Sequence, residues 1–470
     1  MVWILAGFVG IFGGEFFLRV PILKTLRVMK VTGQNARRLF LSPSICDEKK
    51  EKVMRVYALR MFTSTLLLFF YLVVLVGILA VLHLAGRLVG LDLFVFLSTP
   101  VGLIYVTMVS SIYTVMKLKA RRSDYGLLSR ILHTIALGNR SVPEASFDFE
   151  QGQLKIETEA EPLASHVFIC GLARAGTTLL MRRFYATSSY RSLTYADMPF
   201  VLMPNIWAKF SAINNAKAVK QRRAHGDDLL VDINSPEALE EVFWKTFCGD
   251  QYIGANSLIP MDADDETIGK FRAYVTAITY NEREATDDLL PYLSKNNNNI
   301  LRLNSITRAF PHAHILIPYR EPLQHAYSLL RQHRNFLKQQ KEDPFVRKYM
   351  TWLAHHEFGS DHRPFMFSDN TEYSSNTDSL TYWLEVWVNT YSWLLEHAPS
   401  AVTYVSYEKL CAKPESTWQD LCAIAGIAPH VMGADVIQLT WRDVPEAYDA
   451  ALMTRANKLY EVLSVHARSL

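Results

Sequence analysis

The stretch SHVFICGLARAGTTLLMRRF, residues 165–184, decides the fold. It opens with an apolar run of strand length, turns through two glycines and continues with helical spacing. From Gly171 the residues read G-L-A-R-A-G-T-T, the G-x-x-x-x-G frame of a phosphate loop, with Thr177 where nucleotide hydrolases carry lysine. Such a turn still offers an anion its backbone N–H groups and the positive end of a helix. Arg174 adds a cation, and Thr177 and Thr178 add hydroxyl donors. Lacking the lysine and an evident acidic metal ligand, the loop suits anion binding better than Mg-dependent γ-phosphoryl transfer.

Working outward, the strand-sized runs HVFICG (166–171), NILRL (299–303), HAHILIPYR (312–320) and AVTYVSYE (401–408) alternate with helical stretches. Strands separated by helices imply a parallel sheet covered on both faces, so the expected architecture is a P-loop-like α/β three-layer sandwich. The HAHILIPYR strand runs into Arg320, and Glu321-Pro322 then start a helix, proline being suited to the first helical position. Arg320, through its planar fork, and Ser328, through its hydroxyl, can converge on a second phosphate.

These segments, in this order, resemble the sulfotransferase family that uses 3'-phosphoadenosine 5'-phosphosulfate (PAPS). Gly171–Thr178 is similar to the family's 5'-phosphosulfate loop, with Ala173 and Ala175 in place of the usual proline and serine. The 3'-phosphate element is matched by Arg320, Pro322 and Ser328, and the Y-E-D-L segment by Tyr407-Glu408-Lys409-Leu410. The resemblance covers roughly residues 160–430 and lies nearest the membrane-associated and bacterial branches. It implies a PAPS-dependent sulfotransferase that acts on a hydroxyl acceptor. PAPS would be held by Arg174, Ala175 (through its backbone N–H), Gly176, Thr177, Thr178, Arg320, Ser328 and Tyr407.

Sulfuryl transfer needs a base for the acceptor proton, cations over the transferring oxygens and stabilisation of the departing phosphate. The segment SPEALEEVFWKTF (235–247) reads as an acidic helix start, capped by Ser235 with Pro236 in its first turn. The resemblance implies a glutamate base in such a segment. Glu241 fits best, with Glu240 and Glu237 as alternatives and a helix-dipole role as the plainer reading. The resemblance also implies cations at Arg174 and Lys295, the lysine preceding an asparagine run and Phe310-Pro311-His312-Ala313. His312, His314, His325 and His333, and likewise His355, His356 and His362, lack metal-ligand spacing, and no metal is expected. The polar stretch Asp361–Asp378 is a candidate lid.

The chain has 470 residues, 50% of them hydrophobic, and a formal net charge of +3, which argues against a nucleic-acid partner. Its five cysteines show neither a disulfide framework nor zinc spacing. Residues 61–86 and 93–116 contain no Asp, Glu, Lys or Arg and reach the length that crosses a bilayer. They predict a membrane hairpin within an anchoring region at 1–125, followed by a connector at 126–160 and a catalytic domain at 161–470. Cations on both outer flanks, from Lys24 to Arg60 and from Lys117 to Arg122, place both ends in the cytoplasm, and the expected localisation is multi-pass membrane. The apolar N-terminus reads as a further in-plane anchor. Were the domain luminal, the sequon Asn139-Arg140-Ser141 would be available. A P-loop kinase or ATPase and a non-enzymatic membrane-bound module are the competing readings. The acceptor, whether lipid, glycolipid or carbohydrate, is not specified.

Overall fold

The computed structural model describes residues 2–19, 22–41, 47–88, 93–120, 127–154, 165–211, 221–222, 230–231, 235–280, 290–428 and 441–467. They fall into two units, 1–129 and 130–470.

The first unit holds α1 (Val2–Arg19), α2 (Ile22–Leu41), α3 (Asp47–Leu88), α4 (Leu93–Leu97) and α5 (Pro100–Ala120). The uncharged run 61–86 lies inside α3. This helix contains the one described segment long and apolar enough to cross a membrane, Lys50–Val74, with mean hydropathy 1.7. The second expected span, 93–116, is not one helix. It breaks after Leu97, because Pro100 has no N–H and disfavours helical backbone at the residue before it. Thr99 Oγ1 then accepts from Gly102 N at 3.0 Å and restarts the helix. The uncharged run continues in α5 from Pro100 to Met116. The expected multi-pass hairpin is thus corrected to one helix of spanning length among the described residues. Of its expected connecting loop, Arg87–Asp92, residues 89–92 lie outside them. α5 packs instead on glycines of α1: a Cβ at Gly10 would stand 2.9 Å from Val109 Cβ, and one at Gly14 2.8 Å from Tyr113 Cδ1. Tyr113 donates its hydroxyl to Glu15 Oε2 at 2.6 Å.

The second unit opens within α6 (Leu127–Leu137) and continues into α7 (Ser141–Gln153). Residues 146–153 alternate apolar and polar types as a strand would, yet they are helical. Pro143, Ser146, Phe147 and Glu150 share a buried helical face, and the Glu150 carboxylate accepts the backbone N–H groups of Asn205 and Ile206 at 2.9 and 3.1 Å. Then follow β1 (Val167–Ile169), α8 (Thr177–Ala186), α9 (Pro204–Ser211), the antiparallel pair β2 (Gln221–Arg222) and β3 (Leu230–Val231), α10 (Glu241–Tyr252) and α11 (Asp265–Thr279). The chain continues through β4 (Leu293–Lys295), α12 (Leu303–Ala309), β5 (His314–Tyr319), α13 (Pro322–Glu342), α14 (Pro344–Trp352) and α15 (Leu380–His397). It ends with β6 (Val402–Ser406), α16 (Tyr407–Ala412), α17 (Pro414–Ile424) and α18 (Ala450–His466).

NILRL is not a strand. The strand lies just before it, at β4, and Asn297–Leu301 coil into a 3-10 turn because Asn296 Oδ1 accepts from Asn298 N at 3.1 Å and its amide donates to Asn299 Oδ1 at 3.1 Å. The four-stranded sheet is parallel, in the order β4-β1-β5-β6, with Ile169 opposite both Lys295 and Leu316. Side chains alternate across it, so each face needs its own cover. Phe168, Ile315 and Ile317 pack with Phe243, Phe271, Leu330 and Trp387, whereas Val167, Ile169, Leu316 and Val405 pack with Leu180, Phe184, Trp418 and Leu421. The fold is α/β with helices on both faces. From β1 the chain proceeds to β4 on one side, and from β5 to β6 on the other. The C-terminal ends of β1 and β5 therefore flank the crevice where open α/β sheets bind ligands.

Candidate active site

Both anion-binding elements named from sequence start at that crevice. After β1 the loop turns through left-handed backbone at Gly171 (φ 126°), Arg174 (φ 70°) and Gly176 (φ 101°) before α8 begins at Thr177. After β5 the chain passes Arg320, and Glu321 caps α13 by accepting from Leu323 N and Gln324 N at 3.2 and 2.7 Å, with Pro322 in the first turn as expected. Arg174 Nε donates to Ser328 Oγ at 3.3 Å, so the two elements touch. The Arg320 guanidinium lies 4.9 Å from the centre of the Tyr407 ring, and that ring closes on the loop: a Cβ at Gly176 would stand 2.9 Å from Tyr407 Cδ2. Arg320 Nε is buried with no hydrogen-bond partner among the described residues. A buried guanidinium N–H left over beside a glycine turn and a helix N-terminus fits a phosphate-bearing ligand.

Lys295 ends β4, opposite Ile169, and is buried at 7% exposure. The expected base, Glu241, lines the same small cleft as Lys295. The helix begins at Glu241 rather than at Ser235, since Pro236 is drawn into a bridge with Thr194. Glu241 pairs in two-pronged fashion with the wholly buried Arg302, at 3.0 and 3.1 Å, and also accepts from Asn296 Nδ2 at 2.6 Å and from Tyr252 Oη. Arg302 stacks between the rings of Trp244 and Tyr252. The alternative Glu240 accepts from Trp244 Nε1, Asn299 Nδ2, Tyr292 Oη and Ser294 Oγ. Glu237 accepts from Tyr195 Oη at 2.5 Å and from Ala238 N. Each of Glu240 and Glu241 accepts four hydrogen bonds, so these carboxylates hold β4, α10 and the asparagine turn together.

Three further residues support the site. His325, on α13, donates its Nε2–H to the carbonyl of Ala173 at 2.8 Å and pins the loop, and burial lowers its pKa from near 6.5 to about 3. Glu408 accepts from Glu321 N at 2.9 Å and ties the Tyr407 segment to the Arg320 junction. Glu357 follows α14, accepts from Asn297 Nδ2 at 3.1 Å and stands 3.8 Å from His355 Nδ1. The stretch proposed as a lid, 361–378, is tied down. Asp361 meets Arg347 in two 2.7 Å contacts, Met366 N donates to Leu258 O, and Trp383 Nε1 donates to Thr377 O. Pro364 and Phe365 from this stretch line a small cleft together with Leu172 and Ala173 of the loop.

The family model described as "Sulfotransferase family" matches residues 166–430. No curated protein matches this sequence. Among solved structures, sulfotransferase STF9 from Mycobacterium avium is similar at 12% identity and a TM-score of 0.35, over 76% of this chain and 81% of that one. Sulfotransferase STF1 from Mycobacterium tuberculosis H37Rv is similar at 11% and 0.34, over 76% and 90%. A sulfotransferase from Alicyclobacillus acidocaldarius is similar at 13% and 0.29, over 65% and 94%. The matched residues run from His166, at the foot of β1, beyond α17 and include every element that frames the crevice. This chain belongs to the sulfotransferase family.

Proposed function

We propose that the chain is a membrane-anchored sulfotransferase that moves a sulfuryl group from PAPS to an acceptor hydroxyl. The observation that carries this reading is the 3.3 Å hydrogen bond from Arg174 to Ser328, which sets a 5'-type and a 3'-type phosphate element side by side. PAPS would supply the activated sulfuryl group. The loop N–H groups from Ala175 to Thr178 and the Arg174 guanidinium would hold its 5' end, and Arg320 and Ser328 the 3'-phosphate. Tyr407, between Gly176 and Arg320, would lie along the nucleotide. Lys295, beside the start of the loop, would polarise the departing phosphate oxygen. Purified full-length protein given labelled PAPS and a membrane extract should release 3',5'-ADP and a labelled product. Failure to bind PAPS at millimolar concentration would end this reading.

For the domains, the reading keeps an anchoring region at 1–125, a connector at 126–160 and a catalytic domain at 161–470, with α3 as the anchor. A crossing by the uncharged run 61–86 of α3 alone would leave the cations between Lys24 and Arg60 in the cytoplasm and carry the catalytic domain across the bilayer, where Asn139-Arg140-Ser141 is exposed. A C-terminal reporter checks this. Its appearance in the cytoplasm would require a second crossing.

A further inference from the structure

We propose that His325 is a positioning residue of the phosphosulfate loop: it holds the Ala173–Arg174 peptide in register with the 3'-phosphate element and replaces the stiffness that family loops take from a proline at that place. This inference rests on the sulfotransferase reading of the same crevice. Proline fixes φ, and the alanine that stands here leaves it free. The restraint comes instead from α13, where His325 donates its Nε2–H to the Ala173 carbonyl at 2.8 Å. A carbonyl only accepts, so Nε2 carries the proton of the neutral ring and Nδ1 is bare.

One hydrogen bond governs this much of the loop because the peptide group is planar. Fixing the direction of the Ala173 carbonyl also fixes the N–H of Arg174, which points the opposite way. Arg174 sits at φ 70°, left-handed backbone that a side-chain-bearing residue keeps only under outside support. Its own side chain then reaches Ser328 Oγ at 3.3 Å. His325 and Ser328 are three residues apart, hence neighbours on one face of α13, and they hold two consecutive residues of the loop. The helix that follows Arg320 and carries Ser328 thereby also sets the loop for the 5' end.

The ring is otherwise badly placed. His325 is wholly buried, and its Nδ1 has no partner among the described residues. Burial, with repulsion from Arg320 and Arg174, lowers its pKa to about 3 against the bond to Ala173, so the donor is neutral at working pH. A leucine would fill the space without an orphaned nitrogen. What histidine adds is the donor.

The test compares 5'-AMP, whose phosphate belongs to the loop, with 3'-AMP, whose phosphate belongs to Arg320 and Ser328, by calorimetry of the full-length protein in detergent. His325→Leu is expected to weaken 5'-AMP binding at least about tenfold and to leave 3'-AMP within about twofold. His325→Gln, whose amide nitrogen reaches about as far as Nε2, should keep 5'-AMP within about threefold of wild type. His325→Asn ends short of Ala173; it should behave as the leucine variant and takes its place if that variant does not fold. Adding Ala173→Pro to His325→Leu should recover most of the lost affinity. Unchanged 5'-AMP binding in His325→Leu, an equal loss of both nucleotides, an equal loss in His325→Gln, or no recovery from the proline would overturn the proposal. Absence of binding of either nucleotide by the wild type would instead strike the sulfotransferase reading itself.

Discussion

Arg174 and Ser328 are 154 residues apart, yet the guanidinium of one donates to the hydroxyl of the other at 3.3 Å. The contact exists because β1 and β5 are adjacent parallel strands, so the turns that leave them begin at the same edge of the sheet. Arg174 reaches across from left-handed backbone at φ 70°, a conformation that a non-glycine residue keeps only where its surroundings hold it.

Gly176 should tolerate no side chain. Its φ of 101° strains any L-residue, and an added Cβ would meet the Tyr407 ring at 2.9 Å. Gly176→Ala is expected to lower the melting temperature and to weaken 3',5'-ADP binding at least tenfold. Adding Tyr407→Ala should relieve the clash and leave the backbone strain. Wild-type nucleotide affinity in Gly176→Ala would contradict this geometry.

The Glu241–Arg302 pair is expected to act on stability. Arg302→Leu strands a buried carboxylate, and Glu241→Leu a buried guanidinium, each at a cost of about 3–5 kcal/mol. The double replacement should recover much of that loss. Thermal unfolding of the three variants checks this, and single variants as stable as the wild type would remove the pair from its structural role.

Much of this arrangement is legible in the sequence where chemistry is local. The loop, the Arg320-Pro322-Ser328 element and the Tyr407 segment are runs of neighbouring residues whose types announce a turn, a cap or an anion contact. What escapes is non-local. Nothing near Glu241 reveals that Arg302 will neutralise it 61 residues later, and nothing near Glu357 reveals that Ala173 will share its cleft. NILRL carries strand-like residues, but the asparagines before it wind the chain into a 3-10 turn and move the strand back to Leu293–Lys295. At 93–116 hydropathy alone suggests a span, and a single proline divides it.

Acid should destabilise the fold. Burial lowers the pKa of His166, His333 and His362 to about 4 and that of His325 to about 3. Below pH 6.5 the unfolded chain binds protons that the folded chain refuses, so the stabilisation is complete above 6.5 and is lost as pH falls toward 4. Each histidine adds a slope of up to about 1.4 kcal/mol per pH unit. The melting temperature should fall between pH 7.5 and 5, and His325→Gln should shallow that fall. A flat profile would mean that these rings are not buried and neutral.

The central claim, that one nucleotide is gripped at both phosphates, is tested most directly by calorimetry of the full-length protein with 3',5'-ADP and with 5'-AMP. The account predicts one site per chain and a marked preference for 3',5'-ADP in the wild type. In Arg320→Ala that preference should be lost, with 5'-AMP binding left intact. Equal affinity for the two nucleotides in the wild type, or a preference that survives in Arg320→Ala, would contradict it.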